Sequence, residues 1–262
     1  MRRAAERDRY VLGVAGILLP LLAWELLPQV VRLPLGARLF FATPSQIARA
    51  LGRMLITEEF QANLAVSASE FLLGLGLAVA VGLPLGLAMG RFRTLDALLD
   101  PFVTALNATP RIVWLPLLIL WLGLGIWSKV MIVFAGAVFP LLINAYEGVR
   151  NVDRVLVNVV RAFGAREWAV VRMVVLPYAL PYLVAGMRLA IGRAILGVVV
   201  GEFFGASRGL GYMIASAASG YKPDVMFAGV AVFMALSLAL TLSVKAIETR
   251  LTRWRPEAAK TF

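Results

Sequence analysis

Apolar residues along this chain gather into six long runs: Val11–Val31, Ala62–Gly90, Pro101–Leu124, Val130–Val149, Ala179–Ala206 and Val225–Val244. A helix that crosses the hydrocarbon of a bilayer needs about 20 predominantly apolar residues, and every run approaches that length. Run interiors are nearly free of ionised groups and rich in Gly and Pro, as membrane helices are. The pattern predicts an all-α membrane protein, one domain over residues 1–262 with six transmembrane helices. The first run has Trp24, Glu25 and Pro28 where a small-residue cleavage site would lie, so it reads as a span and not as a removable leader. Between the first two runs Ile47, Leu51, Met54 and Leu55 recur at helical spacing. They predict an amphipathic helix over Pro44–Leu55, either on the outer membrane surface or as an ordinary loop helix.

Composition agrees: the chain is 61% hydrophobic, only 16% charged, and has a mean hydropathy of +0.84. A net charge of +11 on so apolar a chain is poorly explained by nucleic acid. The absence of Cys and His removes disulfides, thiolate or imidazole metal sites, and the usual nucleophile and base. Placement of the 26 cationic residues says more than their number. Sixteen fall in the N-terminal segment, the second-to-third and fourth-to-fifth connections and the C-terminal tail, all on one side; seven fall on the other. The excess marks the cytoplasmic side and puts both termini there.

Three cationic residues remain inside runs: Arg111, Arg188 and Arg193. Ionisable groups at membrane depth are expensive and mark function or pairing. Pro101, Pro110 and Pro116 are expected to break the third run, and a broken membrane helix faces protein or a watery cavity. Asn107–Trp114 is therefore a candidate pathway lining, with Asn107, Arg111 and Arg193 available to attract an anion. Arg188 lies near enough to the cytoplasmic end to snorkel. Glu202, near an outer span end, is a candidate gate residue within reach of Arg208, and Glu25 and Glu70 are expected at the interface. Gly82, Gly86 and Gly90, and again Gly197, Gly201 and Gly205, recur every four residues. Such faces pack closely, either within the chain or against a second copy.

The fourth-to-fifth connection, residues 151–177, is patterned and not a slack loop. Asp153 can cap a helix bearing Leu156, Val159, Val160 and Phe163. Gly164 permits a left-handed turn. A second helix follows, with Trp168, Val171 and Val175 on one side and Arg166, Glu167 and Arg172 toward water, and Leu176-Pro177 is expected to end it. An apolar, basic helix–turn–helix facing the cytoplasm calls for a protein partner.

Gly164, nine residues, then Val174-Val175-Leu176-Pro177 resembles the E-A-A motif of ABC-importer permeases, although the triplet itself reads Asn158-Val159-Val160 here. Arg161-Ala-Phe-Gly-Ala-Arg-Glu-Trp168, Pro110-Arg-Ile-Val-Trp-Leu-Pro-Leu117, Trp121-Leu-Gly-Leu-Gly125 and Gly201-Glu-Phe-Phe-Gly-Ala-Ser-Arg-Gly-Leu-Gly211 are similar to the nitrate/sulfonate/taurine branch. The resemblance spans nearly the whole chain. It implies a type I importer permease fold in the bacterial inner membrane, a second permease copy (a homodimer in the favoured case), two ABC ATPase subunits and a periplasmic or lipid-anchored solute-binding protein. It implies that Asn158, Arg161, Ala162, Gly164, Ala165, Arg166, Glu167, Leu176 and Pro177 form the coupling element docked on the ATPase. None of the four lysines follows a G-x-x-x-x-G pattern, so the chain lacks a P-loop. ATP and Mg are then expected on the partner, with no cofactor and no enzymatic activity on this chain. The competing readings are an ion-gradient-driven secondary transporter, which lacks its usual mid-membrane acidic pairs here, and a membrane-embedded enzyme, which lacks a catalytic cluster.

Overall fold

The computed structural model describes residues 2–31, 34, 36 and 39–251. Arg32, Arg38, Arg253, Arg255 and Lys260 of the charge tally lie outside the described residues, as do the side chains of Arg2, Arg3, Arg7 and Arg9. All regular elements among the described residues are helical. They are α1 (Arg2–Val30), α2 (Pro44–Met54), α3 (Glu58–Arg91), α4 (Arg93–Ala108), a 3-10 turn (Arg111–Trp114), α5 (Leu115–Leu122), α6 (Ile126–Arg150), α7 (Arg154–Ala162), α8 (Glu167–Val170), a π turn (Val171–Val175), α9 (Leu176–Gly205), α10 (Leu210–Ser219) and α11 (Pro223–Leu251). Five helical stretches are long and apolar enough to span a membrane, and α4 with the Arg111–Leu122 stretch makes a sixth if that bent pair is one span.

Helix α6 is the centre, with 72% of its most apolar stretch buried. Its neighbours α3 and α9 approach closely because glycines replace side chains where they meet. A Cβ at Gly82 would lie 2.9 Å from the Val138 carbonyl oxygen, one at Gly90 2.7 Å from Val149 Cβ, and one at Gly197 2.8 Å from Val133 Cα. Both spaced-glycine faces are thus used within the chain. Small residues around them, Ala78, Ala137, Ala190 and Ala194, are fully buried. In lipid, where apolar burial alone drives little association, such close van der Waals packing holds helices together.

The third run departs from the sequence expectation. Its two halves are bent by 94°. Pro101 sits inside α4 without ending it, and Pro116 sits in the first turn of α5, where a missing N–H leaves nothing unpaired. Pro110 stands at the break between α4 and the 3-10 turn. Of the three prolines, the break therefore coincides with one.

The fourth-to-fifth connection also differs. Leu176-Pro177 does not end the second helix of this connection. The stretch from Glu167 to Gly205 runs on into the fifth span. A π turn at Val171–Val175, with the Leu176 N–H reaching the Val171 carbonyl, lets the chain continue where proline has no donor to give. This turn changes the face as well: Val170 and Val174 are buried while Trp168 is 73% exposed. Val171 and Val175, expected on one side with Trp168, are half-buried.

Outside the bundle, α2 begins with Thr43 and Gln46 in a reciprocal cap. Its Ala50 and Met54 pack on Phe60, Leu210, Ala228 and Val232. The amphipathic face therefore covers protein. Glu25 of α1 accepts from the Ser45 N–H and hydroxyl at 2.9 and 2.8 Å, tying α1 to the start of α2.

Candidate functional site

Two regions carry the residues singled out by the sequence. In the 151–177 connection, the Asp153 carboxylate accepts the Val155 N–H at 2.8 Å and starts α7. Gly164 turns the chain with φ +78°, a conformation in which an L side chain is strained. Around this turn Asn158, Ala162, Arg166 and Glu167 are exposed, Ala165 and Pro177 are half-buried, and Leu176 is exposed. Phe163 stands out, 89% exposed, with Val155, Leu156 and Val159 also open to solvent. The result is an apolar ridge edged by arginines.

Glu167 anchors this ridge to the bundle. One oxygen accepts from Arg91 at the end of α3 at 2.6 Å, the other from Arg161 of α7 at 2.7 Å. Arg91 first, then Arg161, hold its carboxyl below the usual carboxylate range. Nearby Asp96 takes Arg150 at 2.7 Å and the Tyr146 hydroxyl at 3.2 Å. Asp96 and Arg91 were not among the sequence candidates, because each lies far along the chain from the segment it supports.

In mid-bundle, the bend after α4 opens a cavity of about 370 Å³ lined by Asn107, Pro110, Arg111, Ile132, Arg193 and Gly197 among others. Three of the four predicted pathway residues, Asn107, Arg111 and Arg193, meet there. The two guanidinium groups act on each other electrostatically. Neither pairs with a carboxylate among the described residues, and Arg111 Nε is buried with no hydrogen-bond partner. Arg111 is half-buried and Arg193 exposed to the cavity, and two like charges without a counter-ion favour an anion between or beside them. By contrast Arg188 is paired with Glu248 of α11, so its charge is already matched.

Glu202 is the exception. It does not line the cavity and does not pair with Arg208, which is exposed. It is 1% exposed and bonded to Ser67 and Gly211. Glu70 is likewise enclosed by the bundle, at 2% exposure. A signal for this was available: Asn63, Ser67 and Glu70 are spaced by four and three residues, which puts three polar groups on one helix face.

Residues 82–253 match the family model described as "binding-protein-dependent transport system inner membrane component". The chain is 33% identical over 233 residues to the taurine transport system permease protein TauC of Escherichia coli strain K12, covering 87% of this chain and 85% of that one. It is 32% identical over 255 residues to the putative aliphatic sulfonates transport permease protein SsuC of Bacillus subtilis strain 168, covering 97% and 92%. Among solved structures, an inward-facing MetNI methionine ABC transporter chain superposes with a TM-score of 0.62 at 21% identity, over 75% of this chain and 100% of that one. That likeness concerns the fold, which is the type I importer permease fold. A family of binding-protein-dependent permeases also leaves no place for the ion-gradient alternative. The bend after α4, the glycine-packed core and the helix–turn–helix around Gly164 accordingly belong to a recognisable whole: this chain is a member of the inner-membrane permease family of binding-protein-dependent ABC importers.

Proposed function

We propose that this chain forms the pathway of an ATP-driven importer for a small sulfonate-type anion. The observation that carries the reading is the pair Arg111 and Arg193, uncompensated by any carboxylate among the described residues, at a cavity of about 370 Å³ beside the bend after α4. The names of the relatives, taurine and aliphatic sulfonates, supply the chemical class. A sulfonate carries one delocalised negative charge on three acceptor oxygens, which suits the fixed donor fork of a guanidinium. Asn107 adds an uncharged amide to the same wall.

The remaining assembly follows from the same proposal. A second copy of the chain completes the pathway, a solute-binding protein delivers the anion from outside, and two ATPase subunits bind nucleotide and Mg. Both termini then lie in the cytoplasm. The ridge around Phe163 and Gly164 docks on the ATPase, and Asn158, Arg161, Ala162, Ala165, Arg166, Glu167, Leu176 and Pro177 shape it. Closure of the ATPase dimer pushes this ridge. Because α8, the π turn and α9 are continuous, the push reaches the span that carries Arg193. Such coupling requires two global states that nucleotide favours differently.

The test is uptake of radiolabelled taurine and of a short alkanesulfonate by proteoliposomes holding the whole transporter and its binding protein. Arg111→Gln and Arg193→Gln are each expected to lower uptake at least tenfold, about 1.4 kcal/mol of lost stabilisation, while basal ATP hydrolysis persists. Wild-type uptake by both variants would refute the anion pathway.

A further inference from the structure

At the outer end of the bundle lie three more deeply buried ionisable side chains: Glu70 at 2%, Glu202 at 1% and Lys129 at 5% exposure. Glu202 is bonded through both oxygens. One accepts the Ser67 hydroxyl at 2.6 Å, the other the Gly211 N–H at 2.5 Å. Ser67 in turn accepts the Leu210 N–H at 2.8 Å, and Asn63 accepts the Gly209 N–H at 2.8 Å. Three successive backbone donors at the start of α10 therefore end on side chains of α3 and α9. Such donors have no partner inside their own helix and are costly to bury unmatched. The fit is close: Gly209 has φ +118°, and a Cβ there would collide with the Glu202 carboxyl.

Lys129 of α6 acts on both carboxyl groups. Its ammonium also donates to the carbonyls of Leu124 and Gly125, at 2.5 and 3.2 Å, in the turn that follows α5. The cluster thus joins α3, α6, α9, the turn after α5 and the start of α10. Glu70 differs from Glu202: one of its oxygens has no hydrogen-bond partner, and the group bonds to Glu202 itself and not to the 209–211 turn. Lys129 makes no ion pair within 4 Å with either carboxyl group, yet its single charge matches the two of them only when one keeps its proton. Glu202, with donors on both oxygens, is the one suited to carry the charge.

We propose that Glu202 is a positioning residue for the outer face of the transporter: its carboxylate, balanced by Lys129, seats the 206–211 turn and α10 on the bundle, while Glu70 serves only as its uncharged neighbour. The geometry makes α10 part of the rigid body of α3 and α9, so the gate role expected of Glu202 from its position is replaced by a structural anchor for the external vestibule.

A chain with no native cysteine makes the test clean. Leu210 is fully buried, so a Leu210→Cys variant in the assembled transporter should react slowly with a membrane-impermeant maleimide. Adding Glu202→Gln is expected to raise that rate at least tenfold, and adding Glu70→Gln to leave it within twofold. Lys129→Met should also raise it, and the charge-matched pair Lys129→Met with Glu202→Gln should react more slowly than Glu202→Gln alone. Protection unchanged by Glu202→Gln, equal reactivity for the two glutamate variants, or no recovery in the pair overturns the proposal. Should Glu202→Gln not assemble, Ser67→Ala takes its place with a several-fold increase expected, and an unchanged rate is equally fatal. Labelling needs no substrate, so this result is independent of the anion reading.

Discussion

Arg111 and Arg193 at the mid-bundle cavity, and Glu202 and Lys129 at the outer end, are two groups of charge inside one apolar bundle, and they are treated in opposite ways. The outer pair is enclosed and bonded: Ser67 and Gly211 satisfy Glu202, and the Leu124 and Gly125 carbonyls receive Lys129. The arginines are left with each other and an open cavity. A buried charge that is fully matched binds the fold together; one left unmatched is held ready for something that arrives. The position of an ionisable residue along a span does not separate the two cases, but its partners do.

The comparison is broken most directly by reversing the charge of the open site. Arg111→Glu should abolish sulfonate uptake in proteoliposomes, because the carboxylate both pairs with Arg193 and repels the anion. Retention of uptake would show that the cavity is not the path. Next in size is a packing change that moves Arg193 without touching its charge. In Gly197→Val the added carbon would press on Val133 Cα at 2.8 Å. Overpacking of this kind costs about 1–3 kcal/mol, seen as a lower unfolding temperature in detergent and a several-fold loss of uptake.

Smaller effects are expected at the ridge around Gly164, where charge is solvent-exposed. Gly164→Asp forces a side chain into a left-handed turn, at about 1–2 kcal/mol. Among the described residues, none beyond its two chain neighbours lies within 4 Å of a Cβ there, so the fold should survive while ATPase co-purification and uptake fall together. The least change is expected from Glu167→Gln, which removes two exposed ion pairs of a type that contributes little each. It should slightly reduce the coupling of hydrolysis to uptake. Acidification mimics it, with a defined sign. The Glu167 carboxyl lies lower in the folded chain than its ordinary value of 4.5. Its tie to Arg91 and Arg161 is therefore complete above that value and is lost as pH falls through the lowered one.

Much of the fold was legible before any coordinates. Runs of about 20 apolar residues admit only spanning helices, and their bounds lie within a few residues of α1, α3, α6, α9 and α11 at most ends. The start of α7 at Asp153 and the turn at Gly164 were equally readable, since a cap and a left-handed glycine are local effects. The third span and the end of the coupling helix were less so. Whether a proline breaks, begins or merely sits within a helix depends on what satisfies the freed carbonyl, and a π turn at Val171–Val175 is not written in residue type.

The sequence by itself determined that the chain is built of long apolar helices, in which connections its cationic residues gather, and that residues 151–177 carry an apolar ridge edged by arginines. These follow from periodicity, length and local backbone preference, each expressed within a few turns of one helix. Tertiary structure alone decided that Arg111 and Arg193 share a cavity, that Glu202 belongs to the outer anchor, and that the spaced glycines pack within the chain. The physical reason is that a charge is matched or left open by groups distant in sequence, such as Ser67 and Glu202, 135 residues apart. Only the packing of α3 and α9 around α6 brings such groups together.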